Sequence, residues 1–201
     1  MSPKRRMKRD EVKKRKEGIL KVAVKVFAKS GYHKALMDDI AKKSGFGKAT
    51  LYRLFGSKRR LFLLLFKESI NSLEEEVELK IKKIPSPLDR LKEATKVYLE
   101  FFERNRPLFK ILSSNFPSFD RELNRMAERR YLPYIGRIKR EIERGIEFGE
   151  IKRIEDTEGL AYSLLGICNS LIYRWLIKNE GRDLTSDFKV VERVFFEAIG
   201  R

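Results

Sequence analysis

Cysteine and histidine, the side chains most often used for metal binding and nucleophilic catalysis, each occur once in this sequence of 201 residues, as Cys168 and His33. A lone cysteine forms no internal disulfide and no thiolate cluster for zinc, and a lone histidine provides no metal-ligand cluster and no hydrolytic triad. We therefore expect no metal, no cofactor and no enzymatic activity. The alternative, an enzyme with a basic appendage, would use carboxylates such as Glu100, Glu103 or Asp120, and nothing in the sequence shows these groups converging.

Lysine and arginine bind anions, and they are concentrated at one end of the chain. The formal net charge is +17. Residues 1–60 hold 20 Lys and Arg against 5 Asp and Glu, whereas residues 61–201 hold 26 against 24. An ionic surface of the kind found in thermophiles would mix both signs along the whole chain. The asymmetry instead indicates a polyanionic partner, either nucleic acid or an anionic membrane face.

A membrane location is not favoured by the apolar pattern. The longest apolar run, Leu61 to Phe66, is far shorter than the roughly 18 to 20 residues of a membrane span. The charged segment Met1 to Arg6 has no apolar signal region behind it. We expect a cytoplasmic protein without a membrane partner. The alternative is a peripheral membrane protein that uses residues 1–30 as a basic amphipathic helix.

Helical periodicity and the spacing of glycine and proline predict an all-α fold of about nine helices. The first covers about Glu11 to Ser30 and ends at Gly31, after a basic arm, residues 1–16, that we expect to be loose. The other predicted helices cover about 37–43, 48–55, 58–83, 88–104, a short stretch after Pro107, 120–148, 156–179 and 185 to the carboxy terminus.

Two short apolar-patterned segments between Leu36 and Phe55 flank the sequence Ser44-Gly45-Phe46-Gly47. So tight a connection predicts a sharp turn between two crossing helices, which is helix-turn-helix geometry. Ala41 is small where the helices would touch, and Gly45 suits the left-handed backbone of the turn. The expected small core of this unit consists of Ile40, Phe46, Leu51 and Phe55.

Residues 17–63 contain a set of short segments that occur together, namely Ala28 to Tyr32, Asp39 to Ala41, Ser44 to Phe46, Lys48 to Arg53, Phe55, Ser57 with Lys58, and Leu61 with Phe62. In these segments the region resembles the DNA-binding region of the TetR (tetracycline repressor) family. The resemblance implies an amino-terminal three-helix helix-turn-helix DNA-binding domain, residues 1–60. A long fourth helix would join it to a helical ligand-binding and dimerisation domain, residues 61–201.

The function implied by this resemblance is that of a sequence-specific transcriptional regulator, a repressor. It would bind a palindromic operator in double-stranded DNA as a homodimer and respond to a small apolar or aromatic effector. The alternative is a nonspecific nucleic-acid-binding protein, which the basic end alone would permit.

The resemblance also implies that residues 48–53 form the recognition helix in the major groove. Its base-facing residues would be Lys48, Ala49 and Thr50, a sensible set because lysine donates to guanine, threonine offers a hydroxyl or a methyl, and alanine contacts thymine methyls. Tyr52 would hydrogen-bond a phosphate, and Arg53 would reach a phosphate or a base edge.

Cations at the start of the fourth predicted helix are unfavourable there, because the positive end of the helix dipole repels them. A bound phosphate would neutralise both the cationic side chains and the positive end of the helix dipole. The resemblance gives Lys58 this phosphate contact, and Arg59 would strengthen the grip on the DNA backbone.

The sequence departs from the family pattern at three positions. Leu36 and Gly47 stand where a Ser or Thr commonly caps a helix, and Leu54 stands where a His or Tyr is common. Asp38 is a substitute cap for the second helix. The basic arm would compensate electrostatically for the missing contacts. It would either follow the minor groove or, as we favour, remain unattached to the DNA.

The last two predicted helices are implied to pair with those of a second subunit, and the alternative is packing within one chain. The expected interface residues are Leu164, Ile167, Leu171, Trp175, Val191 and Phe195. Aromatic residues gather in the middle of the chain, where the family encloses its ligand, although plain core packing would explain them equally well. The expected ligand-binding residues are Phe102, Phe116, Tyr131, Tyr134 and Tyr162.

Overall fold

The structure, a computed structural model, describes residues 3–107, 109, 121–178 and 181–201, with the side chains at 3–10, 13 and 121–131 excepted. Apart from one isolated bridge, the regular elements in these ranges are helices, so the predicted all-α class is confirmed. The helices are α1 (Pro3–Lys34), α2 (Met37–Ser44), α3 (Lys48–Phe55), α4 (Lys58–Ile81), α5 (Pro87–Arg104), α6 (Arg121–Glu147) and α7 (Thr157–Lys178).

The carboxy-terminal helical stretch, called α8 here, changes its winding along its length. It runs through a 3₁₀ turn (Leu184–Asp187), an α-helical turn (Phe188–Val191), a π-helical turn (Glu192–Phe196) and a final α-helical turn (Glu197–Ile199). The short helix expected after Pro107 falls almost entirely outside the described residues.

The helix ends follow from their residues. Gly45 closes α2 with φ 74°, and Ser57 and Ser86 cap α4 and α5 by accepting from the backbone N–H groups three residues on. The beginning of α1 differs from the expectation. The helix starts at Pro3, so the arm that we expected to be loose is helical from that residue, while Gly31 interrupts the regular geometry with φ 73°.

The helix-turn-helix unit has its own buried centre. Ile40, Leu51 and Phe27 are fully buried, and the Phe27 ring lies edge-on against Phe62 of α4, with 5.5 Å between the ring centroids. The first turns of α4 are therefore part of the packing that holds α1, α2 and α3 together.

The remaining helices form a bundle in which α4 packs on α5, α5 on α6, and α6 on α7. Glu150, in the turn after α6, ties three parts of this bundle together. Its Oε2 accepts from Ser86 Oγ at 2.9 Å and from Leu88 N at 3.0 Å, and its carbonyl accepts from Arg201 N at 3.1 Å. The end of the chain is thereby fixed beside the start of α5.

Helix α7 is long and apolar enough, by length and composition, to cross a membrane, with a mean hydropathy of 1.3 in its most apolar window. Leu164, Leu165 and Ile172 are each less than 5% exposed inside the bundle. Burial of this kind is typical of the central helix of a helical bundle.

The contact between Phe62 and Phe27 gives a stability prediction. We expect Phe62→Ala to lower the free energy of unfolding by about 3 to 5 kcal/mol, because it leaves a cavity in a close-packed core. The matched control is Leu79→Ala on the same helix, where the leucine is 76% exposed, and its effect should stay within about 0.5 kcal/mol. Urea denaturation followed by circular dichroism measures both, and equal effects would contradict the packing.

Candidate nucleic-acid interface and effector cavity

Helix α3 presents one face to the solvent and anchors the other. Leu51 is 0% exposed and Phe55 is 5% exposed, so these residues, one turn apart, fix the helix on the core. The opposite face projects freely, as a helix that enters a DNA groove requires. On it, Lys48, Ala49, Tyr52 and Arg53 are exposed and Thr50 is half-buried.

Lys48 has a partner within the protein. Its Nζ donates to Asp38 Oδ2 at 2.9 Å and lies 2.8 Å from Oδ1, and this hydrogen bond, followed by the charge of the carboxylate, raises the pKa of Lys48. Asp38 was expected to cap α2, but that helix has no side-chain cap, and the carboxylate turns to Lys48 instead. The pair spans the starts of α2 and α3, so Asp38 sets the position from which Lys48 would approach a base.

Lys58 is engaged inside the protein. Its Nζ donates to the carbonyl oxygens of Tyr32 (2.9 Å), His33 (3.0 Å) and Ala35 (3.1 Å), and it lies 4.8 Å from the centre of the Tyr32 ring. An ammonium group has three N–H donors, so all of them are used at the end of α1. A cation at a helix carboxy terminus is favourable, and Lys58 therefore joins the end of α1 to the start of α4.

The expected phosphate contact of Lys58 would compete with these three hydrogen bonds. Arg59, beside it, is exposed. The sequence reading missed the structural role of Lys58 because it compared the residue only with its own helix, whereas its acceptors lie 23 to 26 residues earlier.

The expected ligand-binding residues differ in their positions relative to the cavities. Tyr134 lines both cavities described below, Phe102 stacks on Phe109 with 3.8 Å between the ring centroids, and Tyr162 is 39% exposed on α7, away from both cavities. Phe116 and the side chain of Tyr131 lie outside what the structure describes.

A cavity of about 130 Å³ lies between α4, α5 and α6. Its polar wall includes two ion pairs, in which Arg90 Nη2 lies 3.2 Å from Glu141 Oε1 and Arg137 Nη2 lies 3.0 Å from Glu74 Oε1. Its other lining residues are Val77, Glu78, Ile81, Leu91, Ala94, Tyr134, Ile138 and Arg140.

A smaller, apolar cavity of about 20 Å³ adjoins the first and shares Leu91, Ala94, Tyr134 and Ile138 with it. Burial raises the pKa of the Tyr134 hydroxyl, and it raises the pKa of the Cys168 thiol, at the far end, to about 12. Both groups are therefore neutral at physiological pH. We call the two adjoining cavities the cleft, and arginine and glutamate side chains line one end of it while uncharged side chains line the other.

Five of the six expected dimer residues are covered by their own protomer. Leu164, Leu171, Trp175, Val191 and Phe195 are each at most 9% exposed, and Ile167 is half-buried. Trp175, for example, donates from Nε1 to the carbonyl of Arg182 at 2.7 Å and has the Arg106 guanidinium 4.4 Å from its ring centre. The same two helices leave another face exposed, made of Tyr162, Ser163, Gly166, Ser170, Tyr173 and Ile177 on α7 and Val190 and Val194 on α8.

Comparison with known families agrees with this architecture. Residues 19–65 match the family described as bacterial regulatory proteins, tetR family, and residues 85–185 match the tetracyclin repressor-like C-terminal domain. The chain belongs to the TetR family. As a member of it, the protein is a DNA-binding transcriptional regulator.

Similar proteins include the fatty acid metabolism regulator protein of Bacillus subtilis. It is 24% identical over 84% of this chain and 87% of its own length. Among solved structures, the fatty acid degradation regulator FadR of Bacillus halodurans has a TM-score of 0.81 at 22% identity, over 90% of this TetR-family chain and 94% of its own. FadR of Bacillus subtilis, solved in complex with stearoyl-CoA, has a TM-score of 0.80 at 23% identity, over 91% and 98% of the two chains.

The contacts of Lys58 predict a stability role in this TetR-family fold. We expect Lys58→Met to lower the free energy of unfolding by about 1 to 3 kcal/mol, because the carbonyl groups at the end of α1 lose a charged donor. Lys67→Met, at an exposed lysine of the same helix, is the control and should be close to neutral. Unchanged stability, together with a salt dependence of DNA binding reduced by about one ion, would instead make Lys58 a phosphate contact.

Proposed function

We propose that this TetR-family protein is a cytoplasmic repressor that binds a palindromic operator as a homodimer and is released from it by an acyl effector. Residues 1–60 read the DNA and residues 61–201 bind the effector and the second subunit. The observation that supports the DNA-binding part is the exposed face of α3, opposite the buried residues Leu51 and Phe55. This helix lies within the third of the chain that holds nearly all the excess positive charge.

The DNA contacts that we propose divide into two kinds. Lys48, Ala49 and Thr50 face base edges, where they select sequence. Tyr52, Arg53 and Arg59 contact the sugar-phosphate backbone, where they add affinity without sequence information.

A second copy of the chain is the partner that the exposed face of α7 and α8 fits. This face carries five large apolar side chains that are 39% to 61% exposed, Tyr162, Tyr173, Ile177, Val190 and Val194. Gly166 and Ser170, beside them, are small and let a facing helix approach closely. Because a twofold dimer presents two recognition helices, it reads two half-sites about 34 Å apart.

An acyl compound is the proposed effector for two reasons. The fatty acid regulators named above share the fold, and one of them was solved with stearoyl-CoA. The cleft of this chain has arginine–glutamate ion pairs at one end and apolar side chains at the other, which suits a molecule whose anionic head replaces a glutamate on its arginine and whose tail is apolar.

Selection of bound sites from random DNA duplexes tests the operator proposal. We expect a palindrome with half-sites one helical turn apart, preferred over random duplex by roughly 10³-fold or more. Palmitoyl-CoA should then weaken binding to the selected site. Equal affinity for all duplexes would support the nonspecific alternative and overturn the proposal.

Substitution at Thr50 tests the base contacts. We expect Thr50→Ala to cost about tenfold in affinity for the selected operator and to relax the preference at one position of each half-site, because a base contact is worth roughly 1 to 3 kcal/mol. Thr50→Ser, which keeps the hydroxyl, separates hydroxyl from methyl contacts. A uniform loss of affinity on every duplex would mean that Thr50 does not read bases.

Substitution on the exposed face tests the dimer. Val194→Glu combined with Ile177→Glu should give a folded monomer in analytical ultracentrifugation, because each charge would be buried without a partner in the interface. Leu79→Glu, at an exposed leucine of α4, should leave the dimer unchanged. A double variant that remains dimeric would place the interface elsewhere.

A further inference from the structure

Among the side chains that the structure describes, two ion pairs tie the second half of helix α4 to the helices beside it. Glu74 Oε1 lies 3.0 Å from Arg137 Nη2 of α6, and Glu76 Oε1 accepts from Arg104 Nη2 of α5 at 2.6 Å. The pair with Arg137 is the better covered, with side chains 23% and 34% exposed. It also lines the 130 Å³ cavity, whereas the pair with Arg104 does not.

The ion pairs of this cavity leave polar atoms unsatisfied. Arg90 Nε, Arg137 Nη2 and Glu141 Oε2 are buried and make no hydrogen bond within the described residues, although Arg137 Nη2 lies 3.0 Å from Glu74 Oε1 in the ion pair. All three atoms belong to residues that line the cavity. A buried polar atom without a hydrogen bond costs roughly 1 to 3 kcal/mol, so such atoms are rare unless something else satisfies them. Two of the three are guanidinium donors, and a negatively charged acceptor would satisfy Arg90 Nε and could take the place of Glu74 on Arg137 Nη2. Glu141 Oε2 is itself an acceptor and would need a donor.

We propose that Arg137 and Arg90 are the head-group subsite for an amphipathic anion, whose head replaces Glu74 on Arg137 and thereby releases α4 from α6. The head group is a carboxylate or a phosphate, and the apolar tail points past Tyr134 towards Cys168. This inference rests on the proposed function in one respect only, the control of DNA binding by an effector.

The size of the cavity explains why binding must move a helix. Pockets for small molecules measure about 300 to 1,000 Å³, and the described cavity holds about 130 Å³, enough for a head group but not for a long tail. An effector with a long tail therefore has to separate the walls. Val77 and Ile81 make one wall on α4, and once Arg137 binds the effector, the Glu74 ion pair no longer holds that wall in place.

The experiment measures binding of three probes to the full-length protein without DNA, by isothermal titration calorimetry below their micelle concentrations. Palmitate carries a carboxylate, palmitoyl-CoA carries phosphates, and 1-hexadecanol has the same tail with a neutral head. We expect at least one anionic probe to bind more tightly than hexadecanol. Arg137→Gln should weaken that probe about tenfold or more without changing hexadecanol, because the loss is that of a charge-assisted hydrogen bond.

Two matched controls accompany these variants. Arg153→Gln removes an exposed arginine in the turn between α6 and α7 and should leave every probe unchanged. Arg137→Lys keeps the charge and should restore part of the affinity, which guards against a variant that merely misfolds. Thermal unfolding of each variant checks the fold directly.

The release of α4 is tested with Glu74→Gln. This variant removes the competitor for Arg137, so it should bind the anionic probe several-fold more tightly and bind the selected operator several-fold more weakly without any probe. Glu75→Gln, the exposed neighbour on the same helix, should do neither.

The outcomes separate this inference from the proposed function. Anionic probes that fail to bind, or that bind Arg137→Gln as well as the native protein, would overturn the head-group subsite whatever the DNA result. Normal operator binding by Glu74→Gln would overturn the release of α4. Failure to select any operator would overturn the proposed function, while the probe titrations would still decide the subsite.

Discussion

Helix α4 has to satisfy two sets of neighbours with one unbroken backbone. Near its start, Phe62 packs on Phe27 of α1, and Lys58 donates to three carbonyl groups at the end of the same helix. Near its end, Val77 and Ile81 face α5 and α6 across the cavity. A helix of 24 residues is about 36 Å long and bends little, so its two ends cannot move independently.

This constraint explains why a contact in the bundle can affect the helix-turn-helix unit. The α3 helix packs on the same core as the first turns of α4, and its exposed face keeps a fixed direction only while that packing holds. A change in the tilt of α4 therefore changes the direction of α3. In a dimer, the distance between two such helices must match successive turns of the DNA groove, which makes binding sensitive to small tilts.

Local sequence patterns were sufficient to predict the helix-turn-helix unit. The turn at Gly45 and the buried pair Leu51 and Phe55 depend on neighbours within about ten residues, and their periodicity fixes which face is buried. The all-α class and the break at Pro85 to Pro87 followed from equally local signals. Contacts between distant segments did not, and Lys58 is the clearest case, because its acceptors belong to another helix.

Helix α7 shows a different limit of sequence reasoning. It is apolar around much of its circumference, so periodicity could not tell the face that packs within the protomer from the face left for a partner. The largest residues, such as Trp175 and Leu171, were expected in the dimer interface, yet the structure buries them in the protomer. The exposed face instead includes Gly166 and Ser170, which a reading based on hydrophobicity alone passes over.

The cleft that we propose for the effector was only partly predictable from the sequence, because the many aromatic residues drew attention to its apolar end. Its polar end depends on Arg90, Arg137, Glu74 and Glu141, which come from three helices and have no common sequence spacing. Charged residues of this kind usually indicate only a solvated surface. Their pairing within a cavity is a consequence of how α4, α5 and α6 pack, which no local pattern encodes.

An ion pair is well suited to hold a helix that has to move. The net contribution of a partly buried ion pair to stability is small, because the cost of removing two charges from water offsets most of their attraction. Exchange of the Glu74 carboxylate for the anionic head of an effector on the same guanidinium would therefore change the free energy of the fold little, while it would free α4 from Arg137. An apolar contact in this place would be lost without replacement when the helices separate.

The coupling between effector and DNA that such an exchange can supply, typically about 1 to 3 kcal/mol, corresponds to a change in affinity of roughly 5- to 150-fold. That range is sufficient to switch a regulator whose operator affinity lies near its working concentration.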